Sequence, residues 1–230
     1  MKKMLVLGFE MSPKSNIPDF FNPNITKYRD LLMNPGSIRY AGWDLVTLDI
    51  PKIHRADYYE VTNGDRKIIR LYQDGTLIAK GNLDSSFLSH ATDSNSGPGQ
   101  TLINPIALSE FIYNFVVFSI RIAEETGNTK TNTQMRYRFK LNGLLEAENV
   151  YALSNRVQSF YGKDARTAEQ EDIKGSFDYV YGDDIKETFA DLVAYNLVRQ
   201  IFLNFGFQED EIPLFDNSTK KFHVDFIRKM

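Results

Sequence analysis

Alternating hydrophobic and polar positions predict a three-stranded meander between residues 57 and 81. Its alternating stretches are separated by Asn63-Gly64 and Asp74-Gly75, dipeptides that readily adopt the positive φ angles of tight hairpin turns. Successive side chains of a strand point to opposite faces. One face of the meander should therefore pack on a core, while the other is partly solvated.

The strictest alternation in the chain runs over residues 134–143 and predicts a further strand. Its apolar positions, which should face the core, are Met135, Tyr137, Phe139 and Leu141. Its basic positions, on the opposite face, are Arg136, Arg138 and Lys140. The turn-forming pair Asn142-Gly143 predicts that a strand within residues 144–154 pairs back with this one, and residues 3–11 predict another short strand.

Two long helices are predicted from apolar residues at three- and four-residue spacing. The first spans residues 105–126 and is capped by Asn104, with proline at its first position. The second runs from residue 183 or 184 to 206. A shorter helix is predicted over residues 25–33, with Asn24 as its N-cap.

The order of these elements predicts an α+β fold, in which two long amphipathic helices pack on one face of an antiparallel sheet with a hairpin meander. Hairpins rather than βαβ crossovers should connect the strands. We expect one domain over residues 1–230, which could subdivide near 127–132. Residues 82–101 are predicted to be a polar loop, residues 154–182 an exposed excursion, and the tail a last strand.

The single tryptophan lies in the stretch "SIRYAGWDLVTLD", residues 37–49. From Trp43 to Leu48 neither alternating face is clearly polar, which is typical of a strand covered on both sides. We therefore expect Trp43 to be largely buried, against the meander or the first long helix. The alternative is a ligand-stacking site formed by Arg39, Tyr40 and Trp43.

The composition gives little support to catalysis. Cysteine is absent, which excludes disulfides, thiolate nucleophiles and cysteine-bound zinc. The histidines, His54, His90 and His223, lie far apart without a second ligand at helical or hairpin spacing. In the Gly-rich loop 96–101, Gln100 stands where a P-loop has lysine. We therefore assign no catalytic residue, metal or cofactor, and expect a protein that is not an enzyme.

Charge is small overall but unevenly distributed. The net charge is −3, yet residues 169–216 hold 12 acidic and 3 basic side chains. The cations of the basic strand, Arg136, Arg138 and Lys140, could follow a phosphate backbone. However, the aromatic residues between them should face the core and could not stack on bases. A solvated or edge-protecting face is the favoured interpretation, and the acidic segment could pair with it within the molecule or across a dimer.

Three stretches carry a family resemblance: "RYAGWDLVTLD", "IIRLYQDGTLIAKG" and "NPIALSEFIYNF". Over about residues 37–125 they resemble the region that follows the Schlafen-type, Alba-like domain in some bacterial ATP-binding proteins of defence and regulatory type. The Alba-like domain itself is absent, so no catalytic residue is carried over. The resemblance implies an accessory or sensing module in a nucleic-acid-related system.

Three functions follow from these patterns. The leading hypothesis is a non-enzymatic cytoplasmic accessory domain that binds a protein partner in a larger bacterial assembly, or forms a homo-oligomer. The alternatives are a nucleic-acid or nucleotide binding module that uses the basic strand 136–140, and a metal-dependent hydrolase. A membrane location is not expected, because no stretch of roughly 18 uncharged apolar residues occurs.

Overall fold

The fold is α+β. The computed structural model describes residues 2–12, 16–22, 27–39, 42–45, 52–54, 56–91, 99–129, 132–146, 149–155, 164–181 and 189–229. In chain order the strands are β1 Met4–Ser12, β2 Lys52–His54, β3 Tyr58–Asn63, β4 Lys67–Tyr72, β5 Leu77–Asn82, β6 Ser89–Ala91, β7 Gly99–Ile103, β8 Gln134–Asn142, β9 Leu145–Glu146, β10 Asn149–Leu153, β11 Arg166–Thr167, β12 Ile173–Val180, β13 Phe215–Asp216 and β14 Lys221–Phe222. The α-helices are α1 Lys27–Met33, α2 Pro105–Glu125, α3 Phe189–Asn204 and α4 Val224–Arg228.

The larger sheet has seven antiparallel strands in the order β12-β8-β1-β5-β4-β3-β2. The predicted meander is confirmed as β3, β4 and β5, and its turns place Gly64 at φ 50° and Gly75 at φ 85°. The predicted strands over 3–11 and 134–143 are confirmed as β1 and β8. β1 pairs with both β5 and β8, so it joins the meander to the rest of the sheet.

The two faces of this sheet differ as the alternation predicts. On the inner face, Leu5, Leu7 and Phe9 of β1 are fully buried, and the Phe9 and Tyr137 rings lie 4.9 Å apart. α2 packs on β1 and β5, and α3 packs on β8 and β12. The predicted arrangement, with both long helices on one face, is confirmed.

A second sheet of five strands was not predicted. Its main order is β11-β10-β7-β6, with β9 beside β10, and β7 and β10 run parallel. The prediction of a polar loop over 82–101 is thus wrong for β6 and β7, and the expectation of hairpins alone is wrong for the parallel pair. Both strands are short, and β7 pairs in parallel with β10, which is remote in sequence, so neither leaves a clear local pattern.

The strand within 144–154 exists as β10, but the prediction that it pairs with β8 is wrong. Gly143 adopts φ 73° and the Leu144 N–H donates to Glu171 O, which turns the chain away from β8. β12 occupies the place beside β8 instead. The prediction of an exposed excursion over 154–182 is correspondingly wrong for β12.

The ends of the long helices follow their predicted caps where they are described. The Asn104 side chain accepts hydrogen bonds from the N–H groups of Ile106 and Ala107, at 2.9 and 3.3 Å. Gly127 ends α2 at φ 73°. The predicted cap Asn24 and the predicted start of the second long helix lie outside the described residues.

By length and composition α2 could cross a membrane, but 78% of its most apolar window is buried in the protein.

The C-terminal tail forms a short hairpin and a helix rather than one last strand. β13 pairs with β14, and α4 follows directly. The Glu209 carboxylate lies next to this hairpin and accepts hydrogen bonds from Lys220 Nζ at 2.7 Å and Tyr195 OH at 2.5 Å. Arg199 Nε lies 3.2 Å from the same carboxylate. Together, with the Lys220 ammonium contributing most, these groups hold the pKa of Glu209 at about 2, below its usual 4.5.

This depressed pKa predicts a pH-dependent contribution of Glu209 to stability. A carboxyl group with a lowered folded-state pKa stabilises the fold above its ordinary pKa, and that stabilisation is lost as the pH falls through the folded-state value. Glu209→Gln should therefore lower the melting temperature at pH 6. The difference from wild type should shrink between pH 4.5 and about 2, measured by circular dichroism. Asp225→Asn, at a side chain 87% exposed, serves as the control and should show little difference throughout.

Candidate functional site

The face of the seven-stranded sheet that points away from α2 and α3 is the first candidate surface, which we call the outer face. Its residues alternate with the buried ones along β1, β3, β4, β5, β8 and β12. The apolar and aromatic members are Val6, Tyr58, Ile68, Tyr72, Ile78 and Val180. The basic members are Arg70, Lys80, Arg136, Arg138, Lys140 and Lys174, and the acidic members are Glu10, Glu60 and Asp178.

The three basic residues predicted on β8 lie on the outer face, but each is paired with a carboxylate. Arg136 donates two hydrogen bonds to Asp178, at 2.7 and 2.9 Å. Arg138 NH1 lies 3.1 Å from Glu10, and Lys140 Nζ lies 2.7 Å from Asp172. The predicted pairing with the acidic segment within the molecule therefore occurs through two of its aspartates.

These pairs are exposed, and their energetic contribution is correspondingly small. The side chains of Arg136 and Asp178 are 44% and 45% exposed, and exposed pairs typically contribute about 0–1 kcal/mol. The Arg136 guanidinium lowers the pKa of Asp178. β8 lies between β1 and β12, so the edge-protecting interpretation of its charges is wrong, and a solvated face remains.

The centre of the outer face is apolar around one lysine. Lys80 lies in register between Ile68 on β4 and Val6 on β1, and Ile78 precedes it by two residues on the same face. All four side chains are partly exposed. Gly8 of β1 lies opposite Ile78 and has no side chain, so the surface is recessed there. A Cβ added at Gly8 would contact only Arg138, at 3.8 Å.

The two lysines Lys80 and Lys174 differ from the other cations of the outer face. Among the described residues, no carboxylate lies within ion-pair distance of either. Arg70, by contrast, pairs with Glu60 at 2.6 Å and lies over the Tyr58 ring. The outer face thus presents an apolar centre, a rim of paired charges and two lysines available to a partner.

The predicted ligand-stacking group is the second candidate. Arg39 lies over the Trp43 ring at 5.2 Å, so these two residues do come together, while Tyr40 lies outside the described residues. The Arg39 guanidinium is bound by Glu110 of α2, with Nε 3.2 Å from both carboxylate oxygens and NH2 3.0 Å from one. The Glu110 side chain is 0% exposed and that of Arg39 is 19% exposed.

Asn114 fastens the same segment to α2. Its Oδ1 accepts from the Ile38 N–H at 3.1 Å, and its Nδ2 donates to Trp43 O at 3.3 Å. Gly42 lies so close that an added Cβ would overlap Glu110 and Arg39. These contacts attach the described residues Ile38, Arg39, Gly42 and Trp43 to α2.

The prediction of a strand beginning at Trp43 is wrong for the described residues 42–45, which form bends. Trp43 is partly buried and packs against the core, and its indole N–H donates to Phe87 O at 2.5 Å. Residues 46–50, the rest of the predicted strand, lie outside the described residues. Arg39 is hydrogen-bonded to Glu110, and Ile38 and Trp43 are hydrogen-bonded to Asn114. These bonds to α2, rather than pairing with another strand, position the described residues of this stretch.

A second buried ion pair lies next to this segment and was not predicted. Lys67 Nζ contacts Asp44 Oδ1 at 2.8 Å and donates to Asp44 O at 3.0 Å. Both residues are nearly fully buried. A signal existed for Lys67, a charged residue at a position that the alternation of β4 assigns to the core, but none existed for Glu110, which lies off the apolar stripe that predicted α2.

Metal chemistry receives no support from the described part of the chain. No group of three or more His, Asp or Glu side chains converges there as a metal site would require.

No protein-family model matches the chain, and searches among curated proteins and solved structures likewise gave no match.

Removing Arg39 should destabilise the fold strongly, because Glu110 would be left as an unpaired buried charge. Loss of one partner of a buried ion pair costs about 3–5 kcal/mol. Arg39→Ala should lower the free energy of unfolding by about that amount in urea denaturation. The double variant Arg39→Ala/Glu110→Ala should lose less than the sum of the two single variants, and an additive result would contradict the pairing.

Trp43→Ala should lower the free energy of unfolding by about 2 kcal/mol, below the ~3–5 kcal/mol of a fully buried aromatic residue. Trp43→Phe should recover part of this, because the ring stays while the hydrogen bond to Phe87 O is lost. Urea denaturation measures both values. Full stability of Trp43→Ala together with loss of binding to a partner would instead establish the ligand-stacking interpretation.

Proposed function

We propose that this chain is a non-enzymatic interaction module that binds another protein on its outer face. The observation that supports this is the partly exposed apolar centre of that face, formed by Val6, Ile68 and Ile78. None of the described helices packs on it, since α2 and α3 contact the sheet from the inner side. Exposed apolar groups inside a polar rim are the usual arrangement of a protein-binding surface.

The charges favour an acidic partner. Lys80 lies within the apolar centre and Lys174 lies at the rim. Carboxylates of the partner would form an ion pair with each of them. The other cations of the outer face already have carboxylates beside them. A partner that brings an apolar side chain and flanking carboxylates would therefore match the face best.

Nucleic acid is the second candidate, and less supports it. The phosphate-tracking hypothesis depends on Arg136, Arg138 and Lys140, whose charges are neutralised within the chain. The aromatic residues between them are buried and cannot stack on bases. Aliphatic rather than aromatic side chains occupy the centre of the outer face, which also favours a protein.

The group of Arg39 and Trp43 is a weaker candidate for a binding site than the outer face. Binding a ligand between Arg39 and Trp43 would require breaking the buried pair with Glu110, so we assign this group a structural role.

A cysteine-free accessory module suits the bacterial cytoplasm, where we place it. The resemblance to the region after Schlafen-type domains stays a prediction and would fit an accessory role.

The test compares retention of proteins from a lysate of the native source by immobilised wild type and variants. Ile78→Asp places a charge in the apolar centre and should reduce retention of the specific partner at least about tenfold, because a buried charge in an interface costs several kcal/mol. Phe226→Asp is the matched control, since Phe226 is an exposed apolar residue on α4, away from the sheet. The control should retain the partner as wild type does.

The retained protein is then purified and titrated against both variants by calorimetry. Binding to wild type and Phe226→Asp, with loss for Ile78→Asp, supports the proposal. The absence of any protein whose retention depends on Ile78 overturns it. Retention of nucleic acid that falls steeply with salt and requires Lys80 and Lys174 would overturn it in favour of the second candidate.

A further inference from the structure

One long edge of the larger sheet is formed by β12, which has β8 on one side and, among the described residues, no strand on the other. The Tyr181 N–H donates to Thr133 O, in the loop before β8. Backbone groups of successive residues in a strand point to opposite sides. The backbone groups of Tyr181 and of the odd-numbered residues of β12 therefore point towards β8. The backbone groups of Lys174, Ser176, Asp178 and Val180 point outward along the free edge.

The middle of this edge is occupied by a side-chain amide. Gln200 of α3 accepts from the Ser176 N–H at 3.2 Å and donates from Nε2 to Ser176 O at 3.0 Å. These are the two bonds that a residue on a neighbouring antiparallel strand would make with Ser176. The carboxamide of Gln200 thus stands in for one peptide group of an absent strand.

Gly175 makes this contact possible. A Cβ on Gly175 would overlap both the Gln200 amide and the Phe139 ring. The helix side chain therefore reaches the edge only because residue 175 is glycine. The remaining outward groups of β12 keep the geometry of a strand that can accept a partner.

The charges along β12 match a second copy of the same strand. If two antiparallel copies pair about a two-fold axis at Ser176, Lys174 stands opposite Asp178 of the second copy, and this contact occurs twice. Axes at Lys174 or at Asp178 would instead place like charges opposite each other, which is destabilising. No carboxylate of the described residues pairs with Lys174 in the single chain, so the dimer would give it one.

Exposed apolar groups lie at the same edge. Of the three large hydrophobic side chains exposed among the described residues, Val180 is on β12 and Leu203 is on α3, three residues after Gln200. Their exposed fractions are 55% and 39%. A second copy along the edge would cover surface of this kind, which single chains usually bury.

We propose that the chain forms a two-fold homodimer by antiparallel pairing of β12 with β12 of a second copy, centred on Ser176, and that Gln200 weakens this dimer by competing for the Ser176 backbone. Dimerisation releases the Gln200 amide from Ser176 and replaces its two hydrogen bonds by those of the partner strand. The edge is separate from the apolar centre of Val6, Ile68 and Ile78, and of the two lysines proposed to meet an acidic partner it shares only Lys174, so this inference goes beyond the proposed function and does not depend on it.

The absence of cysteine from the chain permits a direct test of the register. Residues directly opposite in a hydrogen-bonded antiparallel pair have Cα atoms about 5.5 Å apart, within the roughly 4.4–6.8 Å that a disulfide spans. Under mild oxidation, Ser176→Cys should give a disulfide-linked dimer. Ser85→Cys, at an exposed loop serine, is the matched control and should give none above random collision.

Sedimentation equilibrium then measures the dimer dissociation constant of cysteine-free variants. Gln200→Ala should tighten the dimer at least about tenfold, because two competing hydrogen bonds are removed in each of the two copies and about 1.4 kcal/mol in total already gives a factor of ten. Lys174→Asp should weaken it, and Lys174→Asp/Asp178→Lys should restore it by exchanging the charges. Ile78→Asp should leave the dissociation constant unchanged, which separates this dimer from outer-face docking.

A Gln200→Ala protein that stays monomeric at millimolar concentration would overturn the proposal. So would equal cross-linking of Ser176→Cys and Ser85→Cys. A charge exchange that leaves the dimer as weak as Lys174→Asp alone would reject the two-fold register at Ser176.

Discussion

Burial of β1 beneath α2 is the constraint on which the rest of the structure depends. β1 is flanked on both sides, by β5 of the meander and by β8, and its inner side chains Leu5, Leu7 and Phe9 are fully buried. The meander and the β8–β12 pair have no other contact in the sheet order. Without β1 the meander and the β8–β12 pair would be two unconnected sheets, and α2 would lose part of the apolar surface on which it packs.

The same burial decides what the opposite side of the sheet can be. Because the fully buried positions of β1, β4, β5 and β8 face the helices, the positions that alternate with them must face away, and these carry the mixture of charges and aliphatic groups described above. Carboxylates of the chain neutralise most of those cations, which reduces the general attraction for polyanions. Selectivity would then come from the shape of the apolar centre and from the two lysines, rather than from net charge.

Alternation and turn dipeptides allowed β3, β4 and β5 to be predicted as a meander, strict alternation allowed β8 to be predicted with its faces, and the capped apolar run allowed α2 to be predicted with its N-cap. β12 was missed although Ile173, Phe177 and Tyr179 alternate with Lys174, Ser176 and Asp178, because Gly175 and Val180 interrupt the pattern within a stretch that is otherwise irregular. The register between strands was not predictable, since no local pattern states that Val6 lies between Lys80 and Lys140.

The candidate sites show the same division. Arg39 and Trp43 could be identified as neighbours from their spacing, but the residue that determines their role, Glu110, lies 71 positions away from Arg39. Only the tertiary fold brings the Glu110 carboxylate to the Arg39 guanidinium. This ion pair gives Arg39 a structural role in place of the ligand-binding role that the sequence suggested. The outer-face centre likewise joins residues from three strands, each unremarkable alone.

The central place of β1 also has a consequence for synthesis on the ribosome. β1 is synthesised well before its partner β8, which ends at Asn142, so the middle of the sheet cannot close until β8 has emerged. Contacts of such large sequence separation form slowly. During that interval the side chains of β1 that later become core remain open to other apolar surfaces, which makes this strand the segment most exposed to aggregation during folding.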